Sequence, residues 1–520
     1  MFRLLAVLLI VVSTLTLQPL SGQVVPYGGA AEYVQDLAAR RASVMKTLGD
    51  DAVLVLWSAP PRVYSTDTNY EYRQESNLLY LTGLEDEDVT LVLVPGEAGG
   101  TEFLFVRARD PFRELWTGSI PSVEDVRART GVARVFAQRR SEAFDAFMRG
   151  MFGPAASDAG GAGAATVATD AAVTAGAAEA GGVAAAHDRT SWRLALLENA
   201  VEPETTPVSV EPAVARQLAW ARGIASRRAD VRLVGATGML DRQRQIKTSY
   251  EQRVMRRSVE ISAEAHIEGM RATRPGRWEY EVEAAIEHWF MRSGALSWGY
   301  PSIVGSGPNA TILHYLKSNR QMQSGDLLLV DAAGNFQGLT GDITRTYPVS
   351  GRFSGDQRAL YDIVLRAQEA GIAAARPGGS VLEINRAVRV EIGKGLLGVG
   401  LVTDPAAATG NSPQIDLWFP HGPVHGIGMD VHEPLGDLVP GVTFVVEPGI
   451  YVRPDTLERL AADPARADLA RTLRPAVTRF LNMGIRIEDS LLMTASGVDV
   501  MSAKVPKRAS DVERLVGKDR

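Results

Sequence analysis

Leu327-Leu328-Leu329-Val330-Asp331-Ala332-Ala333-Gly334-Asn335-Phe336-Gln337-Gly338-Leu339-Thr340-Gly341-Asp342-Ile343-Thr344-Arg345-Thr346-Tyr347 reads as a hairpin whose arms each carry an aspartate. Asp331 ends an apolar run of strand length. If Asn335-Phe336-Gln337-Gly338 turns the chain, Asp331 and Asp342 stand directly opposite each other on one face. Two carboxylates held there repel, and a half-buried acid pair is costly unless a cation lies between them. Taken singly, each reads equally well as an exposed hairpin acid.

Two glutamates raise the same question. Glu447 closes the apolar run Val442-Thr443-Phe444-Val445-Val446, before Pro448-Gly449. In Gly484-Ile485-Arg486-Ile487-Glu488, alternation puts Ile485 and Ile487 on one face and Arg486 with Glu488 on the other. Of seven histidines in the chain, His314, His421, His425 and His432 fall in this strand-rich portion. Three sit in Pro420-His421-Gly422-Pro423-Val424-His425-Gly426-Ile427-Gly428-Met429-Asp430-Val431-His432-Glu433-Pro434. His421 and His425 have zinc-helix spacing, but the Gly and Pro residues between and after them make a helix implausible, and the glutamate of the helical zincin motif is missing. An extended course with one ligand and flanking hydrogen-bonding histidines fits better. Oxygen-rich donors with one imidazole suit Mn²⁺, Co²⁺, Fe²⁺ or Zn²⁺, and bridging carboxylates typify paired metals.

The chain around these residues has 520 positions, 45% hydrophobic and 22% charged, with a net charge of −6 and no cysteine. That length asks for two principal domains. The acidic balance speaks against nucleic-acid binding, and the lack of cysteine excludes disulfides, thiolate metal sites and a cysteine nucleophile. Met1-Phe2-Arg3, the apolar run to Leu17 and Gln18-Pro19-Leu20-Ser21-Gly22 form a secretory-signal pattern over residues 1–22, too short for a stable membrane span. Export is expected, to the periplasm or beyond. Residues 23–237 read as an α/β domain. Within it, 153–187 is an Ala/Gly tract that cannot bury enough apolar surface to order itself, and reads as a flexible insertion. Residues 238–510 form the second domain and 511–520 a tail. Helical spacing over Ile246–Arg271 places His266 on an apolar face as a packed core histidine.

Taken together, these motifs resemble the pita-bread family of proline-specific metallopeptidases, and within it the aminopeptidase P group. The segments that carry the resemblance are Ile303-Val304-Gly305-Ser306-Gly307, Leu313-His314-Tyr315, Gly341 to Thr346, His421 to Glu433, Val446 to Tyr451 and Gly484 to Asp489. Tyr72-Arg73-Gln74-Glu75-Ser76-Asn77-Leu78-Leu79-Tyr80-Leu81-Thr82-Gly83 is similar to the family's creatinase-type first domain. The resemblance implies an α/β creatinase-like N-terminal domain plus an α+β pita-bread catalytic domain. It implies that Asp331, Asp342, His425, Glu447 and Glu488 hold two divalent ions, usually manganese, with cobalt or zinc as alternatives. Asp342 and Glu488 would bridge the ions, with a hydroxide between them. Glu447 would also carry protons. His314 and His432 would stabilise the tetrahedral intermediate, with His421 beside them. Arg486 would orient the acids, and Tyr451 would lie nearby. The implied substrates are peptides with an Xaa-Pro N-terminus, in a homo-oligomer (dimer or tetramer). Arg109 to Gly118 resembles a segment that reaches a neighbouring subunit's site, so Trp116 reads either as a substrate-facing residue there or as an ordinary surface aromatic.

Some positions depart from the family pattern. Asn335 stands where the family has glutamate, Asn77 where it has aspartate, and Val424 where it has a small polar residue. Arg453 to Phe480 is an apparent insertion near the rim of the site. An Xaa-Pro dipeptidase shares the fold and ligands, and is the nearest rival reading. A methionine aminopeptidase leaves the first domain without a role. A metal-free peptide-binding module or a creatinase-like hydrolase fits poorly, because all five ligands are present. No Gly-x-Ser-x-Gly elbow supports a serine hydrolase.

Overall fold

The computed structural model describes residues 26–96, 99–152, 178–179, 191–197 and 212–518. The expected leader and nearly all of the 153–187 insertion lie outside the described residues. In the first domain the apolar runs Ala52–Trp57, Thr90–Val94 and Thr101–Arg107 become the middle of a mixed sheet. Arg134–Gln138 flanks one edge, and Trp192–Leu196 with Val231–Gly235 flank the other. Helix Ala30–Leu48 packs on this sheet and also reaches the second domain, where Tyr33 stacks on Tyr250 at 5.1 Å. A shared apolar core therefore runs from one domain into the next.

The second domain opens with helices Ser249–Ala272 and Glu279–Arg292. Thr248 caps the first helix, and Glu251 returns the bond to the Thr248 N–H, which satisfies donors a helix start leaves open. His266 is fully buried and bonded to Ala332 O at 2.9 Å, the core histidine that the periodicity implies. Strands Ile303–Ser306, Leu327–Asp331 and Thr344–Pro348 form one antiparallel sheet. Strands Thr443–Val446, Asp489–Thr494 and Gly497–Val500 form a second. Gly449–Tyr451 pairs with Gly484–Arg486 between them. A second helix pair, Gly355–Ala374 and Val381–Gly398, covers a separate apolar core. Among the described residues no helix is long and apolar enough to cross a membrane.

The hairpin register differs from the expected one by two positions. Phe336 pairs with Leu339, and Asp331 faces Thr344 rather than Asp342. The turn centres on Gln337 and Gly338, both at positive φ (53° and 82°), the two-residue turn whose twist matches paired strands. Phe336 thus belongs to the strand and not to the turn. A shift of two keeps the parity of the pleat, so both aspartates still point to the same side.

Two other segments take definite form. Arg453 to Phe480 folds into helices Thr456–Ala461 and Ala467–Phe480, which bury Leu473, Val477 and Phe480. The expected tail begins inside helix Ala509–Leu515, where Val512 and the following Val516 are buried.

Candidate metal centre

Four strand ends converge on one cluster of acids. Asp331 ends its strand and Asp342 lies just before Thr344. Glu447 follows Val446, and Glu488 sits between Arg486 and Asp489. One ligand atom each from Asp331, Asp342 and Glu488 can lie within 4.8 Å of the others, and so can one each from His425, Glu447 and Glu488. His425 turns Nε2 toward the acids, 3.4 Å from Glu447, 3.7 Å from Asp342 and 4.0 Å from Glu488. Its other nitrogen lies 3.1 Å from Gly426 O. A proton on that nitrogen leaves the Nε2 lone pair facing inward, the arrangement of a metal-ligating imidazole.

The acids are held from behind. Arg486 donates to Asp331 at 2.6 Å, to the Tyr451 hydroxyl at 3.0 Å and to Thr344 Oγ1 at 3.1 Å. Thr344 in turn donates to Glu488 at 2.8 Å. Ser490 accepts the Asp342 N–H at 2.9 Å and returns its proton to the Asp342 carbonyl at 2.6 Å. Below this layer, fully buried Arg345 pairs with Asp489 at 2.7 Å.

The electrostatics fit a cation site. Burial, then the Asp331 charge, holds the Asp342 carboxyl well above the usual range. Burial, then Asp342 and Glu447, does the same to Glu488. Burial alone would raise Glu447 too, but the His425 contact and the charges of His421 and Arg486 bring it below its ordinary value. Glu488 Oε1 is buried and makes no hydrogen bond. Like charges packed this closely, with one oxygen left without a partner, are the state that divalent cations relieve. The five residues therefore fit a metal group.

The remaining histidines sit around the acids. His432 stacks edge-on against His425 at 4.2 Å between ring centres. His421 Nε2 is 2.9 Å from the Tyr451 hydroxyl. Burial depresses the pKa of both His421 and His432. His314 is exposed, midway along the segment from Ser306 to Arg320. Trp116 is not gathered into the cluster. It is 75% exposed on helix Pro111–Thr117, which buries none of its residues.

Residues 253–495 match metallopeptidase family M24, and residues 37–153 match the aminopeptidase P N-terminal domain. The Xaa-Pro aminopeptidase of Haemophilus influenzae is 31% identical over 493 residues, 93% of this chain and 97% of that one. The chain belongs to the aminopeptidase P group of metallopeptidase family M24. The structure of proline aminopeptidase P II from Yersinia pestis superimposes with a TM-score of 0.74 at 29% identity, covering 93% of this chain and 99% of that one. Human Xaa-Pro dipeptidase is 34% identical, but only over 297 residues, 52% of this chain.

Not all of this metallopeptidase's site was evident beforehand. The Tyr300 hydroxyl lies 2.6 Å from both Asp331 Oδ1 and Asp342 Oδ1, and Tyr300 was not among the residues expected there. It precedes Pro301 and the strand Ile303–Ser306 with no periodic or charge signal to mark it. Asp430 and Glu433 lie in the same stretch as His421, His425 and His432. Arg244 donates to both, at 2.6 Å and 2.7 Å, and to the Asn77 amide oxygen at 3.0 Å. Ser76 and Arg73 of the first domain reach Asp430 as well, at 2.8 Å and 3.2 Å.

Proposed function

We propose that this metallopeptidase removes the N-terminal residue from peptides whose second residue is proline. The convergence of Asp331, Asp342, His425, Glu447 and Glu488 on one cluster, with Asp331, Asp342 and Glu488 buried, carries the reading. The five would hold two divalent ions, manganese by the family resemblance, with cobalt or zinc as alternatives. Such a pair supplies Lewis acidity and an activated water at neutral pH. Glu447, kept ionised by His425 and Arg486, is placed to take a proton from the attacking water and to pass one to the leaving nitrogen. That nitrogen belongs to proline, which has no N–H and a fixed φ, so proton delivery matters more than backbone hydrogen bonding. His432 and His314 donate to the carbonyl oxygen as charge develops on it. His421, Tyr451 and Arg486 form the chain that keeps Asp331 in place.

Full-length similarity to Xaa-Pro aminopeptidases, against half-length similarity to a dipeptidase, supports the longer substrates. Hydrolysis of an Xaa-Pro dipeptide and of an Xaa-Pro-Yaa-Yaa tetrapeptide, measured side by side, tests it. Cleavage of the tetrapeptide supports the aminopeptidase, and cleavage confined to the dipeptide supports the dipeptidase. The tripartite N-terminus supports export, which N-terminal sequencing of the mature protein checks. Phe112, Leu115 and Trp116, each about three-quarters exposed, support a subunit contact, which sedimentation of the wild type and of Trp116→Ala checks.

A further inference from the structure

The segment from Ser306 to Arg320 carries His314 at its middle and is exposed there, yet it is tied down at four points by one side chain. Glu279, the first residue of helix Glu279–Arg292, has no exposed surface. Its Oε1 accepts from Ser306 N–H at 2.6 Å, Ser306 Oγ at 2.7 Å and Asn309 Nδ2 at 3.1 Å. Its Oε2 accepts from the Tyr315 hydroxyl at 2.9 Å and from Arg320 N–H at 3.0 Å. Its own backbone N–H returns to Arg320 O at 3.0 Å.

Two of these donors, Ser306 on Oε1 and Arg320 on Oε2, are backbone N–H groups, which cannot accept instead. They press on both oxygens, so the site demands an acceptor at each. A carboxylate meets that demand, and a carboxamide of the same shape does not. Tyr315, the residue after His314, is buried through this bond, whereas His314 makes no contact of its own with the carboxylate. The strap is also backed by strand Gly484–Arg486: a Cβ at Gly484 would come within 1.9 Å of Ala310 O. Bonds made by charged acceptors are the stronger kind, and fixing a donor beforehand is what makes it effective in a transition state.

We propose that Glu279 is a positioning residue for His314, clamping the 306–320 strap so that the imidazole is presented to the substrate carbonyl without reorganisation. The proposal rests on the peptidase reading of His314. Its test is a double-mutant cycle on the manganese-loaded enzyme, with Glu279→Gln and the milder Asn309→Ala each made alone and on His314→Ala. Each single variant should lower kcat by about tenfold or more, with bound metal unchanged. In the His314→Ala background each should cost less than about twofold, because the group being positioned is gone. Equal penalties in both backgrounds would overturn the proposal and leave the role of His314 standing. Full activity in His314→Ala alone would instead overturn the reading on which the proposal rests. If Glu279→Gln does not fold, Asn309→Ala carries the cycle.

Discussion

Arg244 and Glu433 meet at 2.7 Å with side chains 6% and 4% exposed, though they lie 189 positions apart in the chain. Arg244 stands at the junction of the two domains, and Glu433 adjoins His432. Lys247 holds the other oxygen of Glu433 at 2.7 Å. The pairing couples the first domain, through Asn77 and Ser76, to the loop that carries His425 and His432.

Removing Arg244 strips buried Glu433 of one of its two cations, so Arg244→Ala should destabilise the protein, by at most about 3–5 kcal/mol. Denaturant unfolding measures it. Burial by itself raises the Glu433 pKa, but Lys247 and Arg244 outweigh burial and bring it below the ordinary value. The associated stability is therefore present above about pH 4.3, the unfolded-state value, and is lost as pH falls through the lower folded pKa. Glu433→Gln should lose that acid-limb dependence, which unfolding curves between neutral and acid pH will show.

Tyr300→Phe removes the hydroxyl shared by Asp331 and Asp342 without changing shape. Loss of such an orienting partner should weaken metal affinity about 10–100-fold. Added Mn²⁺ should then restore most of kcat, and a metal titration followed by activity distinguishes this from a catalytic loss that saturating metal leaves uncorrected.

Asp342→Asn should have opposite effects with and without metal. It removes one of the repelling carboxyls whose pKa burial and Asp331 raise, so metal-free protein should gain stability. The same change deletes a ligand and should abolish paired metal binding. Thermal melts of chelated and metal-loaded protein, together with elemental analysis, give both readings.

Glu447→Gln should lower kcat about 10²–10⁴-fold, the range for loss of a proton-transfer group. Kinetics at saturating Mn²⁺ check this. Undiminished turnover would contradict the role assigned to Glu447.

The candidate metal centre was legible because the acids gathered there break a local rule. Asp331 and Glu447 end strands that are otherwise apolar, and Glu488 with Arg486 occupies the polar parity of a buried strand. Period-two alternation keeps that information even when the pairing register is misread by two, as it was at Asp331 and Thr344. Tyr300 escaped because an aromatic residue before a proline carries no charge or period, and only the fold brings it between two aspartates. The Arg244 network escaped because its members come from three distant segments, none anomalous in its own neighbourhood. Glu279 carries no signal because negative charge in the first turn of a helix is favoured anyway, and its partners are visible only in three dimensions.

The central claim is that five convergent side chains hold the cations that drive removal of a residue ahead of proline. Its most direct test is to strip the protein with chelator, titrate in Mn²⁺, and follow an Xaa-Pro-Yaa-Yaa peptide by mass spectrometry. The account predicts no cleavage without metal, release of free Xaa that rises as the ions bind, and loss of both binding and cleavage in Glu488→Gln. Metal-independent release, or a Glu488→Gln variant that binds and cleaves as the wild type does, would contradict it.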